Sequence, residues 1–228
     1  MKKNARVLVV VAHSDDEAMG CGGTIAKHVE FGAQVCVVFM TNGVDSRQTA
    51  SKEDVGRRHQ AAERASDILG VSLIQSFNFP DNKMDVVPLL DIVQSIESVI
   101  DEFRPDIVYT HHIGDLNIDH QITHNAVMTA CRPQPDQCVK EIYTFEVPSS
   151  TEWQAPSFFQ FVPNMFIDIT EQIEVKKRAL ISYDDEMRPA PHSRSIKNIL
   201  NISKYRGNSI GVEYAEGFMV NRILKTQL

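Results

Sequence analysis

The chain of 228 residues is predicted to fold as one α/β domain with a Rossmann-like, mostly parallel sheet that is covered by helices on both faces. Three observations predict this fold. Short β-branched apolar runs alternate with segments of helical spacing, the alternation continues to about residue 147, and no repeat, linker or low-complexity segment divides residues 1–228. Strands that alternate with helices imply right-handed crossovers and parallel pairing.

The strands are predicted from short, continuous apolar runs of the buried type, and the helices from apolar residues that recur every three or four positions. The predicted strands are residues 6–11, 34–40, 71–79, 106–110 and 141–147. The predicted helices are residues 22–31, 52–69, 86–103 and 120–131.

The pattern loosens after about residue 150. We expect a strand near residues 161–169, a helix near residues 173–183 and a last helix near residues 214–223. This C-terminal extension is expected to pack over the active site or the sheet edge and not to form a second domain.

The composition argues against several classes of protein. With 23 basic and 30 acidic residues the formal net charge is −7, so the chain lacks the basic excess of a nucleic-acid binder. No apolar run reaches the roughly 18 residues of a membrane span, and the run at residues 7–11 is too short for a signal peptide. The four cysteines have no CxxC spacing, which fits free thiols in a reducing compartment. We therefore expect a cytoplasmic protein.

Residues of the types that bind metals concentrate directly after the first and fourth predicted strands. Residues 12–17 read AHSDDE, and residues 111–120 read HHIGDLNIDH. In the common strand order 3-2-1-4-5, strands 1 and 4 are neighbours where the order of the strands reverses, and open parallel sheets bind their ligands at that point. The two clusters are therefore expected to meet in space.

One imidazole and one carboxylate from the first cluster, with one imidazole from the second, would form a three-ligand set. Such a set leaves one position open for water, as catalytic zinc requires, and iron, cobalt or manganese suit the same donors. If Asp16 is the carboxylate ligand, Asp15 can stand beside the water and accept its proton. Two structural explanations stay open: the acidic residues could cap a helix, and His120 with His124 could share an ordinary helix face.

Two other enzyme classes fit the sequence poorly. Gly20, Gly22 and Gly23 resemble a phosphate loop, but Ile25 stands where a third glycine is needed and acidic residues precede the turn. A GxSxG nucleophile elbow is absent, so a serine hydrolase is not supported.

The two clusters resemble the signature motifs of the PIG-L/LmbE-like family of zinc-dependent de-N-acetylases. Residues 12–17 are similar to the family motif AHPDDE, with Ser14 in place of proline, and residues 117–120 are similar to HPDH. Asn117 replaces the histidine that is thought to stabilise the oxyanion, so the resemblance leaves that role unfilled. Four further stretches resemble one branch of the family, at residues 79–82, 114–117, 191–195 and 214–218.

The resemblance implies a metal-dependent hydrolase that removes the N-acetyl group from an amino-sugar derivative and yields acetate and a free amine. Carried onto this sequence, it assigns His13, Asp16 and His120 as ligands of one Zn²⁺ per chain and Asp15 as the general base. Two alternatives stay open, a metal-dependent hydrolase of another acyl ester or amide and a non-catalytic, metal-bearing sugar-binding protein. Asp15 argues against the second, because a binding protein has no use for a base beside the metal.

Four further residues are candidates for contacts with the substrate or the transition state. Arg58, Asp115 and Asn117 are the predicted substrate-binding residues. His192, in a proline-stiffened segment, is the predicted oxyanion donor or general acid, because the pKa of histidine lies near neutrality. Surface roles for Arg58 and His192 stay open. The sequence also leaves open whether the sugar is free or carried on a nucleotide or lipid, and whether the chain forms a homo-oligomer.

Overall fold

A computed structural model describes residues 3–43, 51–156 and 159–225, and it confirms the predicted α/β fold. One sheet in these ranges has the strand order β3-β2-β1-β4-β5-β7-β6. Its strands are β1 (Arg6–Val11), β2 (Gln34–Thr41), β3 (Leu73–Phe79), β4 (Ile107–His111), β5 (Glu141–Phe145), β6 (Met165–Asp168) and β7 (Ala215–Ile223). The helices are α1 (Asp16–Glu30), α2 (Lys52–Leu69), α3 (Leu89–Phe103), α4 (Ile118–Ala130), α5 (Ile173–Ile181) and α6 (Ile196–Asn208).

The first five strands pair in parallel, and β7 pairs antiparallel with both β5 and β6. Helices cover both faces because successive side chains of the buried strands point to opposite sides. Val7, Val9 and Val11 pack in the core formed with α1, α2, α5 and α6. Leu8 and Val10 pack in the second core, against α3 and α4. No helix in the described ranges is long and apolar enough to cross a membrane.

Helix α1 begins at Asp16, six residues before the predicted start at residue 22. Its glycines discourage a helix assignment from sequence, but close packing requires them. A Cβ on Gly20 would lie 2.2 Å from Cδ2 of Phe145, and a Cβ on Gly23 would lie 2.7 Å from Cδ1 of Ile169. The helix therefore lies closer to the sheet than larger residues allow.

The C-terminal extension departs most from the prediction. The last helix expected near residues 214–223 is wrong, because this segment is strand β7. Its conformation is determined by pairing with β5 on one side and β6 on the other, and the spacing of apolar residues within the segment does not indicate these partners. Helix α6 was missed, although Ser195 caps it by accepting a hydrogen bond from the Asn198 N–H at 3.2 Å. Most of the extension widens the sheet and covers it, and the segment between α5 and α6 reaches the carboxyl end of β1.

Candidate metal centre

The two clusters meet where β1 and β4 end. These strands are parallel neighbours, with Val7 opposite Ile107 and Val9 opposite Tyr109. The order of connection reverses between them, so their carboxyl ends border the crevice in which open α/β sheets bind ligands. The loop after β1 and the first turn of α1 contribute the first cluster, and the end of β4, the loop after it and the first turn of α4 contribute the second.

Three side-chain atoms at this point have the spacing of ligands around one tetrahedral ion. His13 Nδ1 lies 3.2 Å from His120 Nε2 and 3.3 Å from Asp16 Oδ2, and His120 Nε2 lies 3.3 Å from the same Asp16 oxygen. Zinc with ligands at about 2.0–2.1 Å in tetrahedral geometry separates the ligand atoms by about 3.3 Å. The residues therefore fit one ion of this size without rearrangement, and all three are buried.

Three further carboxylates hold the two imidazoles on the opposite side of each ring. Asp115 Oδ1 lies 3.2 Å from His120 Nδ1. Asp81 Oδ1 and Asp119 Oδ2 each lie 3.2 Å from His13 Nε2. Carboxylates in such positions fix the orientation of metal-binding histidines and raise their basicity. The ligand rings are thus held in place by groups that leave the ligand atoms free.

Asp81 and Asp119 with His13 Nε2 form a second group that could hold a cation. Asp119, however, already accepts backbone hydrogen bonds at both oxygens, from Asn82 N at 2.6 Å and from Met84 N at 3.0 Å. Its carboxylate therefore anchors the loop after β3 and holds His13. Asp16 Oδ2 also accepts a backbone hydrogen bond, from the His13 N–H at 2.9 Å, but within the described residues only this one oxygen of Asp16 does so, and we therefore favour the first group as the metal site.

The carboxylates also control protonation of the imidazoles. Burial lowers the pKa of His13, but its hydrogen bonds to three carboxylates outweigh burial and raise the pKa well above the ordinary value. Burial likewise lowers the pKa of His120, and Asp16 and Asp115 outweigh it and raise the pKa to about 9. The carboxylates therefore favour the protonated form of each imidazole, and a divalent cation that binds the ring nitrogens would have to displace a proton.

Asp15 lies beside Asp16 but faces two arginines. Its Oδ1 lies 3.2 Å from Arg58 Nη2, and its Oδ2 lies 3.5 Å from Arg194 Nη1. Burial raises the pKa of the Asp15 carboxyl, and the two arginines oppose this rise. The side chain makes no capping hydrogen bond to α1, so helix capping does not account for Asp15.

The backbone of Asp15 is strained, with a φ of +125° that non-glycine residues rarely adopt. Such strain costs about 1–3 kcal/mol and is found where the surroundings enforce it, often at active sites. Here the Asp15 N–H donates to Glu17 Oε2 at 3.0 Å, and the Tyr183 hydroxyl donates to Glu17 Oε1 at 2.7 Å. Glu17 therefore joins the strained loop to the end of α5.

Arg58 is buried at the site and is not on an exposed helix face. Its Nε donates to Ser14 Oγ at 2.8 Å, and its guanidinium also pairs with Asp15 and Glu186.

Asp115 has no exposed surface. Besides His120, its carboxylate accepts hydrogen bonds from the hydroxyls of Ser150 and Thr151, the latter at 2.7 Å. Its neighbours and His120 lower its pKa to about 2 despite burial, which raises it.

Asn117 and His192 lie at the edge of the centre. The Asn117 side chain caps α4 by accepting from the Asp119 N–H at 2.8 Å, and its amide donates to Asn82 Oδ1 at 3.1 Å. His192 is exposed, with its ring centroid 5.7 Å from that of Trp153. Its Nδ1 accepts a hydrogen bond from the Arg194 N–H at 3.0 Å. His192 thus adjoins a residue that reaches Asp15, while no direct contact joins it to the three ligand residues within the described ranges.

Sequence reasoning did not assign several residues of the centre. Of the adjacent histidines His111 and His112, His111 is the last residue of β4 and faces the centre: its ring stacks on that of His120 with centroids 3.9 Å apart, and its Nε2 accepts a hydrogen bond from the Ala12 N–H at 2.9 Å. Asp81 and Arg194 lie in the stretches 79–82 and 191–195 that drew attention by resemblance, but nothing local indicated their partners. Glu17 gave no signal apart from its place in the first motif.

Comparisons with known proteins agree with this geometry. The sequence pattern of the PIG-L family, described as GlcNAc-PI de-N-acetylase, matches residues 8–131. The chain is 29% identical over 184 residues to the uncharacterized deacetylase YaiS of Escherichia coli (78% of this chain, 90% of the relative). It is 26% identical over 235 residues to diacetylchitobiose deacetylase of Thermococcus kodakarensis, and the match covers 93% of this chain and 81% of the relative.

The fold is also shared with an enzyme of a different reaction class. The structure of 4-carboxy-2-hydroxymuconate hydratase from Pseudomonas putida superposes with a TM-score of 0.78 at 23% identity, and covers 98% of this chain and 99% of that one. This likeness concerns the fold alone. The family match spans more than half of the chain and both clusters of the metal centre, and on that basis the chain belongs to the PIG-L family.

Proposed function

We propose that this chain is a zinc-dependent N-deacetylase that releases acetate from an N-acetylated amino-sugar derivative. The observation that carries the proposal is the tetrahedral spacing of His13 Nδ1, Asp16 Oδ2 and His120 Nε2 beside the buried carboxylate of Asp15. Membership of a family described as a de-N-acetylase supports the N-acetyl substrate class. The diacetylchitobiose deacetylase relative supports an amino sugar.

Two imidazole nitrogens and one carboxylate oxygen suit Zn²⁺ with an open fourth position. When bound there, the ion polarises the acetamide carbonyl and lowers the pKa of water. Asp15 accepts the proton of the attacking water and returns it to the departing amine. Arg58 and Arg194 hold the Asp15 carboxylate in place from two sides, which keeps it separate from the ligand Asp16.

We propose positioning roles for Asp115 and Asn117 in place of the substrate contacts expected from the sequence. Asp115 is inaccessible and its oxygens face His120 and two hydroxyls. The Asn117 side chain is engaged with Asp119 and Asn82.

For the oxyanion donor, we retain His192. Because its Nδ1 accepts a backbone hydrogen bond, the neutral ring carries its proton on Nε2, from which it can donate to a substrate. Arg58 stays the candidate for binding a substrate hydroxyl or phosphate group.

The proposal is tested by acetate release. Purified protein loaded with zinc is incubated with N-acetylated monosaccharides, disaccharides, nucleotide sugars and glycolipids, and in parallel with acetyl esters and an unsaturated carboxylic acid, and acetate and hydrated product are measured. Zinc-dependent acetate from at least one amino sugar is expected, with none from the chelated protein. Hydration of an unsaturated acid without acetate release would instead place the chain with the hydratase. Turnover of acetyl esters alone would support the other acyl hydrolase, and zinc-dependent sugar binding without turnover would support a binding protein.

The same panel identifies the linkage of the sugar, whether free or carried by a nucleotide or lipid. We further propose that residues 1–228 act as one deacetylase domain in the cytoplasm. The acidic net charge supports a small-molecule substrate over a nucleic acid.

A further inference from the structure

Glu216, in the YAEGF stretch at residues 214–218, is only 4% exposed although it is a carboxylate. Strand β7 directs its side chain into the middle of α1. There Oε1 accepts a hydrogen bond from the Gly23 N–H at 3.0 Å and Oε2 accepts one from the Thr24 N–H at 2.7 Å. Both carboxylate oxygens of Glu216 therefore accept hydrogen bonds from the backbone of α1, the helix that begins at Asp16.

Lys176 of α5 approaches the same point and is 1% exposed. Its Nζ donates to the Met19 carbonyl oxygen at 2.8 Å and forms an ion pair with Glu216 Oε1. A buried lysine and a buried glutamate therefore contact α1 on the two sides of Cys21.

Helix α1 is interrupted at Cys21, where φ is −144° and ψ is 22°. In a regular α-helix the Gly23 N–H would donate to the Met19 carbonyl, four residues earlier. Here Glu216 accepts from that N–H and Lys176 donates to that carbonyl. The ion pair thus supplies partners for both groups of one backbone hydrogen bond at the interruption, which otherwise would be costly to bury.

The part of α1 before Cys21 contains Asp16, the proposed metal ligand, and directly follows Asp15, the proposed base. The Met19 N–H donates to the Asp15 carbonyl at 3.0 Å, so the residue held by Lys176 is also joined to the strained loop. Asp16 lies in the first turn of the same segment. A change in the angle between the two halves of α1 would therefore move the Asp16 oxygen relative to His13 and His120.

We propose that Lys176 and Glu216 are positioning residues of the metal centre, which set the angle of α1 at Cys21 and thereby place Asp15 and Asp16. This inference rests on the proposed metal site. The alternative is that Lys176 and Glu216 only stabilise the fold. The two roles predict different effects of replacing the ion pair by neutral side chains. Buried ion pairs often add little stability over apolar groups, so a neutral pair can leave the protein stable while the angle of α1 changes.

The first variant is Glu216→Gln, whose amide group can accept only one of the two helix hydrogen bonds. We expect faster amide hydrogen exchange at Gly23 and Thr24. We expect the zinc dissociation constant, from competition with a chelator, to rise about 10–100-fold, the usual range for a residue that orients metal ligands. With an active substrate, kcat should fall by about tenfold or more while KM changes by less than about threefold.

Glu216→Gln leaves Lys176 buried without its charged partner and could prevent folding. The double variant Lys176→Met/Glu216→Gln keeps the side-chain volume and removes both charges. We expect it to melt closer to the wild-type temperature than Glu216→Gln does, because no unpaired charge stays buried, and to bind zinc about tenfold or more weakly than the wild type, because methionine cannot donate to the Met19 carbonyl. The matched control is Ile100→Ala, a cavity in the core on the other face of the sheet. It should lower the melting temperature without changing zinc affinity or the exchange at Gly23.

Wild-type zinc affinity and kcat in the folded double variant would overturn the positioning role. Zinc affinity and amide exchange do not depend on the substrate. A failure of the deacetylase assignment would therefore appear as wild-type protein that binds zinc and releases no acetate. A failure of the present inference would appear as variants with an unchanged zinc dissociation constant.

Discussion

Asp15 and Asp16 are adjacent carboxylates with different surroundings. Asp16 Oδ2 lies within 3.3 Å of a nitrogen of both candidate ligand histidines. Asp15 contacts two arginines, and its backbone is turned by the positive φ. The sequence motif alone gives two equivalent carboxylates, and the backbone conformation separates them. The proposed roles of Asp16 as ligand and Asp15 as base rest on that separation.

Replacement of the Asp15 carboxylate by an amide should remove the base and leave the ligand atoms in place. We expect Asp15→Asn to bind zinc in the wild-type ratio and to lower kcat by about 10²–10⁴, the range for loss of a general base. Elemental analysis and acetate release measure the two quantities. Asp16→Asn is the matched variant and should lose most of the metal. The opposite pattern, with metal lost in Asp15→Asn and kept in Asp16→Asn, would reverse the two assignments.

Replacement of His192 tests its proposed role as the oxyanion donor. If its Nε2–H donates to the oxyanion, His192→Ala should lower kcat by about 10² and leave the zinc content unchanged. Trp153→Phe serves as a control for the neighbouring ring, because it keeps an aromatic contact with His192 and should retain most of the activity. A wild-type kcat in His192→Ala would exclude His192 from catalysis and leave Arg194 as the nearest donor from that segment.

At the scale of elements, α1 is the part of the fold that most directly serves the site. Its glycines allow the helix to approach the sheet where Phe145 and Ile169 leave no room for a Cβ. From the sequence these glycines resemble a phosphate loop, and the predicted helix begins at residue 22, six residues after the observed start. The contact that explains them joins residues more than a hundred positions apart, so no local pattern contains it.

The close packing of α1 against the sheet can be tested with two glycine substitutions. Gly20→Ala places a Cβ about 2.2 Å from the Phe145 ring and should lower the free energy of unfolding by about 1–3 kcal/mol. Gly56→Ala, in the exposed face of α2 with no atom within 4 Å of the added Cβ, should raise it by about 0.5–1 kcal/mol. Urea denaturation compares the two. Equal effects of both substitutions would show that α1 does not require glycine at residue 20.

The extension shows the limit of local spacing in the same way. β6 and α5 were predicted within a few residues, because apolar residues mark them. β7 was predicted as a helix, because its conformation comes from antiparallel partners on both sides. Its Glu216 could not be linked to α1 from the sequence, since only the completed sheet brings them together.

For the whole molecule, the location of the site was predictable because topology fixes it. Clusters after strands 1 and 4 of a parallel sheet must meet if the strand order is 3-2-1-4-5, and the structure has that order. The residues that surround the clusters were less predictable. Asp81 and Arg194 come from two different loops and Asp119 from the first turn of α4, and their partners depend on tertiary contacts that residue spacing does not encode.

The charge balance of the whole centre predicts that metal uptake releases protons. The carboxylates raise the pKa of His120 to about 9 and that of His13 well above its ordinary value, which favours the protonated form of these rings without metal. A cation that binds the ring nitrogens displaces protons, so zinc affinity should fall as the pH is lowered from 9 toward 6. Calorimetry in buffers of different ionisation enthalpy measures the protons released. Zinc binding without proton release would show that the rings are neutral before binding.

The central claim is that one ion binds between His13 Nδ1, Asp16 and His120 while Asp15 stays outside its coordination. Crystals of the zinc-loaded protein, with diffraction recorded above and below the zinc absorption edge, test it most directly. We expect one anomalous peak about 2.0–2.1 Å from His13 Nδ1, Asp16 Oδ2 and His120 Nε2, with no Asp15 oxygen in contact. A peak on the other side of the ring, between His13 Nε2, Asp81 and Asp119, would contradict it.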